Sequence, residues 1–146
     1  MKILVAVDGS RYSVDVVDAV LAHAWPTRSL IRVVSVVEPE QSGLNPTTEI
    51  RSDIRSAPMK ATEELVEFVA SSLASHGLPV GTIVKPGDPR EMIVNEAQDW
   101  QADLIVIGAY GHSGVRNWQL GSVAASVASH ARCSVELVRK TNHAQD

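Results

Sequence analysis

The sequence predicts a single doubly wound α/β domain, a five-stranded parallel sheet with helices on both faces. Three observations carry that expectation. Five short apolar runs rich in β-branched residues lie along the chain, the pattern of strands covered on both faces. Four stretches with apolar residues at helical spacing alternate with them. Each pair of successive strands is therefore joined by a helical crossover, which parallel pairing requires and which is right-handed.

Residues 3–7 are a continuous apolar run that stops at Asp8-Gly9-Ser10, a central strand entering a tight turn. Ser10 or Ser13 is placed to cap a helix over 12–25. Val16, Val17, Val20, Leu21 and Ala24 share its sheet-facing stripe, and Pro26 ends it. Residues 30–37 form the second strand. Residues 38–58 carry Pro39, Gly43, Pro46 and Pro58 among polar residues. A connection this long inside a compact domain is either an ordered flap near a site or a disordered tether. A helix over 59–76 buries Leu65, Val66, Val69, Ala70 and Leu73 and stops at Gly77.

The third strand covers 79–85. In the turn Pro86-Gly87-Asp88-Pro89, Asp88 caps the next helix and Pro89 occupies its first position. That helix, 89–100, packs Ile93, Val94 and Ala97. Residues 104–107 are the fourth strand, 121–132 the last helix and 134–139 the last strand. Residues 141–146 are a frayed tail, so the domain spans 1–140.

The most informative stretch is the fourth strand together with the loop and helix start after it. Leu104-Ile105-Val106-Ile107 runs into Gly108, Gly111 and Gly114, and Gly121-Ser122 then opens a run of small residues. The order is strand, glycine-bearing loop, helix N-terminus. The first N–H groups of a helix lack intrahelical partners and carry the positive end of its dipole. An anion is stabilised there without a charged side chain. The stretch is thus a candidate phosphate cradle. It is not a P-loop, since no G-x-x-x-x-G-K-[ST] occurs, and no G-x-G-x-x-G comes after the first strand.

Composition narrows the classes. A length of 146 residues suits one domain that buries about two-thirds of its unfolded surface. No apolar run approaches the ~20 residues of a membrane span, and the N-terminus enters a strand without a signal-peptide pattern, so a cytoplasmic protein is expected. A net charge of −4 with no basic run argues against broad nucleic-acid or membrane-surface binding. Cys133 is the single cysteine, which excludes an intrachain disulfide and a C-x-x-C site; it is expected as a small buried residue near the end of the last helix. His23, His76, His130 and His143 show no metal-ligand spacing, so no protein-built metal site is expected.

The spacing Gly108-x2-Gly111-x9-Gly121-Ser122 resembles the nucleotide-binding signature of the universal stress protein family. The blocks Ile3-Leu4-Val5-Ala6-Val7-Asp8-Gly9-Ser10, Asp103-Leu104-Ile105-Val106-Ile107-Gly108 and Cys133-Ser134-Val135-Glu136-Leu137-Val138 extend the resemblance along nearly the whole chain. It implies strand order 3-2-1-4-5, an adenine nucleotide alpha-hydrolase-like arrangement, with a topological switch between the first and fourth strands. Asp8 and Gly108 lie at that crevice, where ligands of open α/β sheets bind.

The resemblance further implies that phosphates meet the backbone of Gly108, Gly111, His112, Gly121 and Val123, with Ser122 adding its hydroxyl. His112 and Arg116, inside the loop, are further phosphate candidates. Adenine is expected between Ala6, Val7 and Asp8 on one side and the main chain of Val36 on the other. Asp8 either accepts from ribose or the base amino group, or turns onto its own succeeding backbone. The implied ligand is ATP, ADP or AMP, and a triphosphate would bring Mg²⁺ held mostly by water. Asn117, Trp118 and Gln119 depart from the basic and aliphatic residues usual in that loop. Asp103, at the opposite end of its strand, is expected to be structural.

The last strand lies at a sheet edge, and exposed edges invite pairing. The family commonly pairs it antiparallel across a two-fold axis, which implies a homodimer through Val135, Leu137 and Val138. Glu136 puts a charge on one face there, either meeting Arg139 across the dyad or weakening the dimer. The leading functional expectation is an ATP- or AMP-binding stress-response or signalling module, a nucleotide-dependent dimer that changes its surface at 38–58 and 109–120. No catalytic residue is assigned, because the cradle lacks a lysine; slow hydrolysis is the most expected of it. The alternatives are a weak ATPase or a nucleotidyl or phosphoryl transferase, and an interaction dimer with an empty cleft and an unidentified protein partner. A phospho-receiver domain fails, because Lys85-Pro86-Gly87 stands where an aspartate is needed.

Overall fold

The computed structural model describes residues 1–39, 57–111 and 120–139. Among them the elements run β1 (Lys2–Ala6), α1 (Ser13–Ala22), β2 (Leu30–Val37), α2 (Ala57–Ala74), β3 (Val80–Pro86), α3 (Pro89–Trp100), β4 (Leu104–Gly108), α4 (Ser122–His130) and β5 (Ser134–Val138). The five strands form one parallel sheet in the order β3-β2-β1-β4-β5. The doubly wound fold and its strand order are therefore as expected. Residues 40–56, most of the long 38–58 connection, and the 141–146 tail lie outside the described residues.

The apolar runs explain which strands are central. Ile3, Leu4 and Val5 of β1 are fully buried, so both faces of the strand are covered. Side chains alternate across the sheet. Ile3, Val5 and Val7 meet Val16 and Val20 of α1 and Val66, Val69 and Leu73 of α2. Leu4 and Ala6 meet Ile93 and Ala97 of α3 and Val127 of α4 on the other face. Burying each such aliphatic side chain contributes about 1.5–3 kcal/mol.

Four local expectations need correction. Helix α1 ends at Ala22, not Trp25, and Ala24 is exposed. The Trp25 indole N–H donates to the Val20 carbonyl at 2.9 Å, taking a carbonyl that a longer helix would have used. Neither Ser10 nor Ser13 caps this helix; Tyr12 holds that position without a side-chain bond. The second helix starts at Ala57 and ends at Ala74, with Gly77 at φ +86 completing the turn after it. Cys133 comes after α4 as a connector residue and is half-buried against the α3–α4 side of the core. Burial pushes its thiol pKa up.

Helix α3 begins as expected. The Asp88 carboxylate accepts from the Arg90 backbone N–H at 2.9 Å, and Pro89 comes next. The Arg90 guanidinium also donates to Asp88, at 3.1 and 2.8 Å. These Arg90 side-chain bonds, then the backbone bond, hold the Asp88 carboxyl below its usual range. The folded protein thus binds this proton less readily than the unfolded chain. Its contribution is complete above the ordinary carboxylate pKa and is lost as pH falls through the lowered one. Asp88→Ala is expected to lower the melting temperature by about a few degrees at pH 7. The difference should close in strong acid; a gap that persists unchanged to about pH 2 would contradict this assignment.

Among the described residues, no helix is long and apolar enough to cross a membrane.

Candidate functional site

β1 and β4 lie side by side, but the chain leaves them toward opposite faces, into α1 and α4 respectively. Their carboxyl ends therefore part around a crevice. A cavity of about 280 Å³ fills it. Ala6, Val7 and Asp8 line it from the end of β1, and Val36 from β2. Gly108, Gly111, Gly121, Ser122 and Val123 line it from the corner between β4 and α4. The fold thus brings nine sequence-predicted positions onto one surface. His112 and Arg116 fall outside the described residues, as do Asn117, Trp118 and Gln119.

Asp8 is held in place. Its Oδ1 accepts from the Ser10 N–H at 2.9 Å and from the Ser13 hydroxyl at 3.5 Å, the self-capping turn that was one of its two expected roles. Oδ2 faces the other wall: a Cβ at Gly111 would lie 3.3 Å from it. Glycine at 111 lets the β4–α4 corner approach the tip of β1 that closely.

Val7 is engaged at both main-chain groups. Its N–H donates to Val34 O at 3.0 Å, and its carbonyl accepts from the Ser35 hydroxyl at 2.7 Å. Both main-chain groups of Val7 are thus bonded within the protein, and the residue lines the cavity wall. Val36 differs. Alternate main-chain groups along a strand point the same way, and Val34 O points at β1. The N–H and carbonyl of Val36 point to that side too, beyond the last residue of β1. Val36 itself lines the cavity.

At the cradle, Gly121 is the N-cap of α4 with φ −62 and ψ 154. Its N–H donates to Ala109 O at 2.8 Å, and its carbonyl accepts from the Ala125 N–H at 2.9 Å. The Gly121 amide is thus engaged within the chain, while the residue itself lines the cavity. The amides that open the helix are those of Ser122, Val123 and Ala124, the last not anticipated from the sequence. Among the described residues no lysine or arginine lines the cavity. The helix terminus is its source of positive potential.

Sequence reasoning missed the aromatic floor. Tyr12 and Tyr110 line the cavity and meet edge to face, with ring centroids 5.9 Å apart. Arg11 donates to the Tyr12 hydroxyl at 3.2 Å and Arg139 to that of Tyr110 at 3.4 Å. Pro89 and Ile93, at the start of α3, close the opposite side. The one available signal was the position of Tyr110 between Gly108 and Gly111. Ser10 also lines the cavity, and its Oγ is buried without a hydrogen-bond partner among the described residues.

Elsewhere, Asp103 is structural as expected: its Oδ2 accepts from the Lys2 N–H at 2.8 Å. Glu136 pairs within the chain, with His23 at 2.7 Å. Among the described residues no three His, Cys, Asp or Glu side chains are grouped to hold a metal.

Comparison with known proteins agrees with this architecture. The model of the universal stress protein family matches residues 1–139. Universal stress protein YxiE of Bacillus subtilis is 30% identical, the match covering 94% of this chain and 98% of that protein. The solved structure of protein MJ0577, from Methanocaldococcus jannaschii, superposes with a TM-score of 0.77 at 22% identity, covering 97% of this chain and 96% of that one. A universal stress protein family member from Arabidopsis thaliana, solved with AMP bound, superposes with a TM-score of 0.68 at 20% identity, covering 99% and 94%. With a family match along the whole described core, the chain belongs to the universal stress protein family.

Proposed function

We propose that the cleft binds an adenine nucleotide, ATP, ADP or AMP, and that the chain acts in the cytoplasm as a stress-response or signalling module. The observation that carries this is a convergence. Val36 at the end of β2, Asp8 and the first residues of α4 border one cavity. A strand's N–H and C=O suit the edge of a purine. A fixed carboxylate suits ribose hydroxyls, and helix-terminal amides suit phosphate. Support also comes from the Arabidopsis neighbour, which was solved with AMP.

Gly108, Gly111, Ser122 and Val123 form the proposed phosphate wall, and His112 and Arg116 are proposed as further phosphate contacts. A triphosphate would carry Mg²⁺ on water ligands. Catalysis is not part of the proposal: phosphoryl transfer needs a base at an attacking water and a cation on the terminal phosphate. Homodimerisation is proposed through the β5 edge, where Val135, Leu137 and Val138 are only half-buried.

Native mass spectrometry of freshly purified protein, then calorimetric titration with ATP, ADP and AMP, tests the assignment. Retained adenylate or micromolar affinity for one of the three is the expected result. Protein that carries no adenylate and takes up none would refute it.

A further inference from the structure

We propose that Glu38 reads the base, its carboxylate accepting a hydrogen bond from the exocyclic amino group of the bound adenine. This rests on the nucleotide assignment above and names a specificity residue for it. Among the described residues two acidic residues line the cavity, Asp8 and Glu38. The Asp8 carboxylate is held at the tip of β1, against the β4–α4 corner. Glu38 directly follows β2, whose last carbonyl, Val37 O, accepts from the Gly87 N–H at 2.9 Å in the turn that opens α3. Pro89 and Ile93 of α3 line the cavity as well. Strand order sets β1 between β2 and β4, so Glu38 and the start of α4 stand on opposite sides of the β1 tip. The cavity is thus polarised, with helix-terminal amides toward one end and a carboxylate toward the other. A nucleotide has the matching polarity, an anionic tail and a base that carries a donor. Glu38 is half-buried, so part of its surface is open to a ligand. Among the described residues its carboxylate has no hydrogen-bond or ion-pair partner. The nearby Arg90 guanidinium, which its charge favours, is bonded to Asp88 at 3.1 and 2.8 Å.

An ionised carboxylate accepts hydrogen bonds and donates none. On adenine the amino group donates, whereas the unsubstituted ring nitrogens only accept. Purine riboside monophosphate, which carries hydrogen where AMP has its amino group, isolates that contact. By calorimetry Glu38→Ala should weaken AMP binding about 10-fold, the loss of one charge-assisted hydrogen bond. The amino-free analogue should keep its wild-type affinity within about threefold, since the variant removes nothing that it touches. Equal weakening of the two ligands would put the carboxylate on the ribose and overturn the base assignment. In nucleotide-stripped protein the variant should melt within about 2 °C of wild type, as expected of a side chain without a partner. A larger fall would show that the carboxylate serves the fold and would overturn the proposal. Undiminished AMP affinity in the variant would overturn it while leaving the nucleotide assignment standing. A wild-type protein that takes up no AMP, ADP or ATP would defeat both.

Discussion

Gly121→Val is expected to reduce adenine-nucleotide affinity by more than about 100-fold while the sheet remains folded. Conformational strain is not the cause, because Gly121 sits at φ −62, which any residue adopts. Space is the cause. A Cβ at this position would lie 3.3 Å from Gly111 N, 3.5 Å from Ala109 O and 3.7 Å from Tyr110 Cα. All three are backbone atoms of the corner that leaves β4, so no side chain can swing aside.

Two γ-methyl groups must then push residues 109–111 away from the start of α4. That breaks the register set by the Gly121 N–H bond to Ala109 O. It also parts Gly111 from Asp8 and misaims the amides of Ser122 and Val123. Losing two charge-assisted bonds to phosphate, each worth about 1.5–3 kcal/mol, accounts for the factor. The sequence alone suggests that valine would fill the ligand's own place; the structure moves the collision to the protein backbone. A stability cost of about 1–3 kcal/mol should therefore accompany the loss. Calorimetry with ATP and AMP, beside urea unfolding, reads both effects. Gly121→Ala should fall between wild type and valine, and ATP affinity unchanged in the valine variant would contradict the site.

How much of the structure is legible in the sequence depends on the range of the forces involved. Helix α3 was legible to the residue, because Asp88 and Pro89 act on the backbone next to them. The second strand was equally clear, its run of β-branched residues ending where Glu38 begins. The crevice was legible because it derives from strand order, and strand order from the family resemblance. The end of α1 was not: the Trp25 indole reaches back to Val20 O, a choice of rotamer that no periodicity reveals. The tyrosine floor was missed for a similar reason. Tyr12 looked like the opening of a helix and Tyr110 like a loop residue. Only the proximity of the tips of β1 and β4 turns them into neighbours. Gly121 was found but for half its reason, since its closest contact, Gly111 N, belongs to an earlier segment of the chain.

The same limit explains the second large prediction. Glu96 lies on the buried stripe of α3 between Ile93 and Ala97 and is 3% exposed, although charged residues at such spacing are ordinarily solvated. Its two carboxylate oxygens are taken separately. Oε2 accepts from Arg32 of β2 at 2.5 Å and Oε1 from Lys85 of β3 at 3.0 Å. The Arg32 guanidinium also lies over the Trp100 ring, 4.5 Å from its centroid. One helix is thus pinned to two strands, and that helix carries Pro89 and Ile93 into the cavity wall.

Glu96→Ala leaves two cations facing each other over a void. Their side chains are 32% and 26% exposed, so water relieves part of the penalty. The expected loss is about 3 kcal/mol, near the lower end for breaking a buried pair from one side. Urea unfolding should show it as a lower midpoint with an unchanged slope. The desolvation of all three charges opposes the attraction between them, so the pair is costly to break yet contributes little as a whole. Replacing Arg32, Lys85 and Glu96 together with Met, Met and Leu should therefore recover most of the loss. A triple variant as unstable as Glu96→Ala would show that the cost lies in packing rather than in unpaired charge. A Glu96→Ala protein with the wild-type midpoint would mean that the carboxylate does not hold α3 to the sheet.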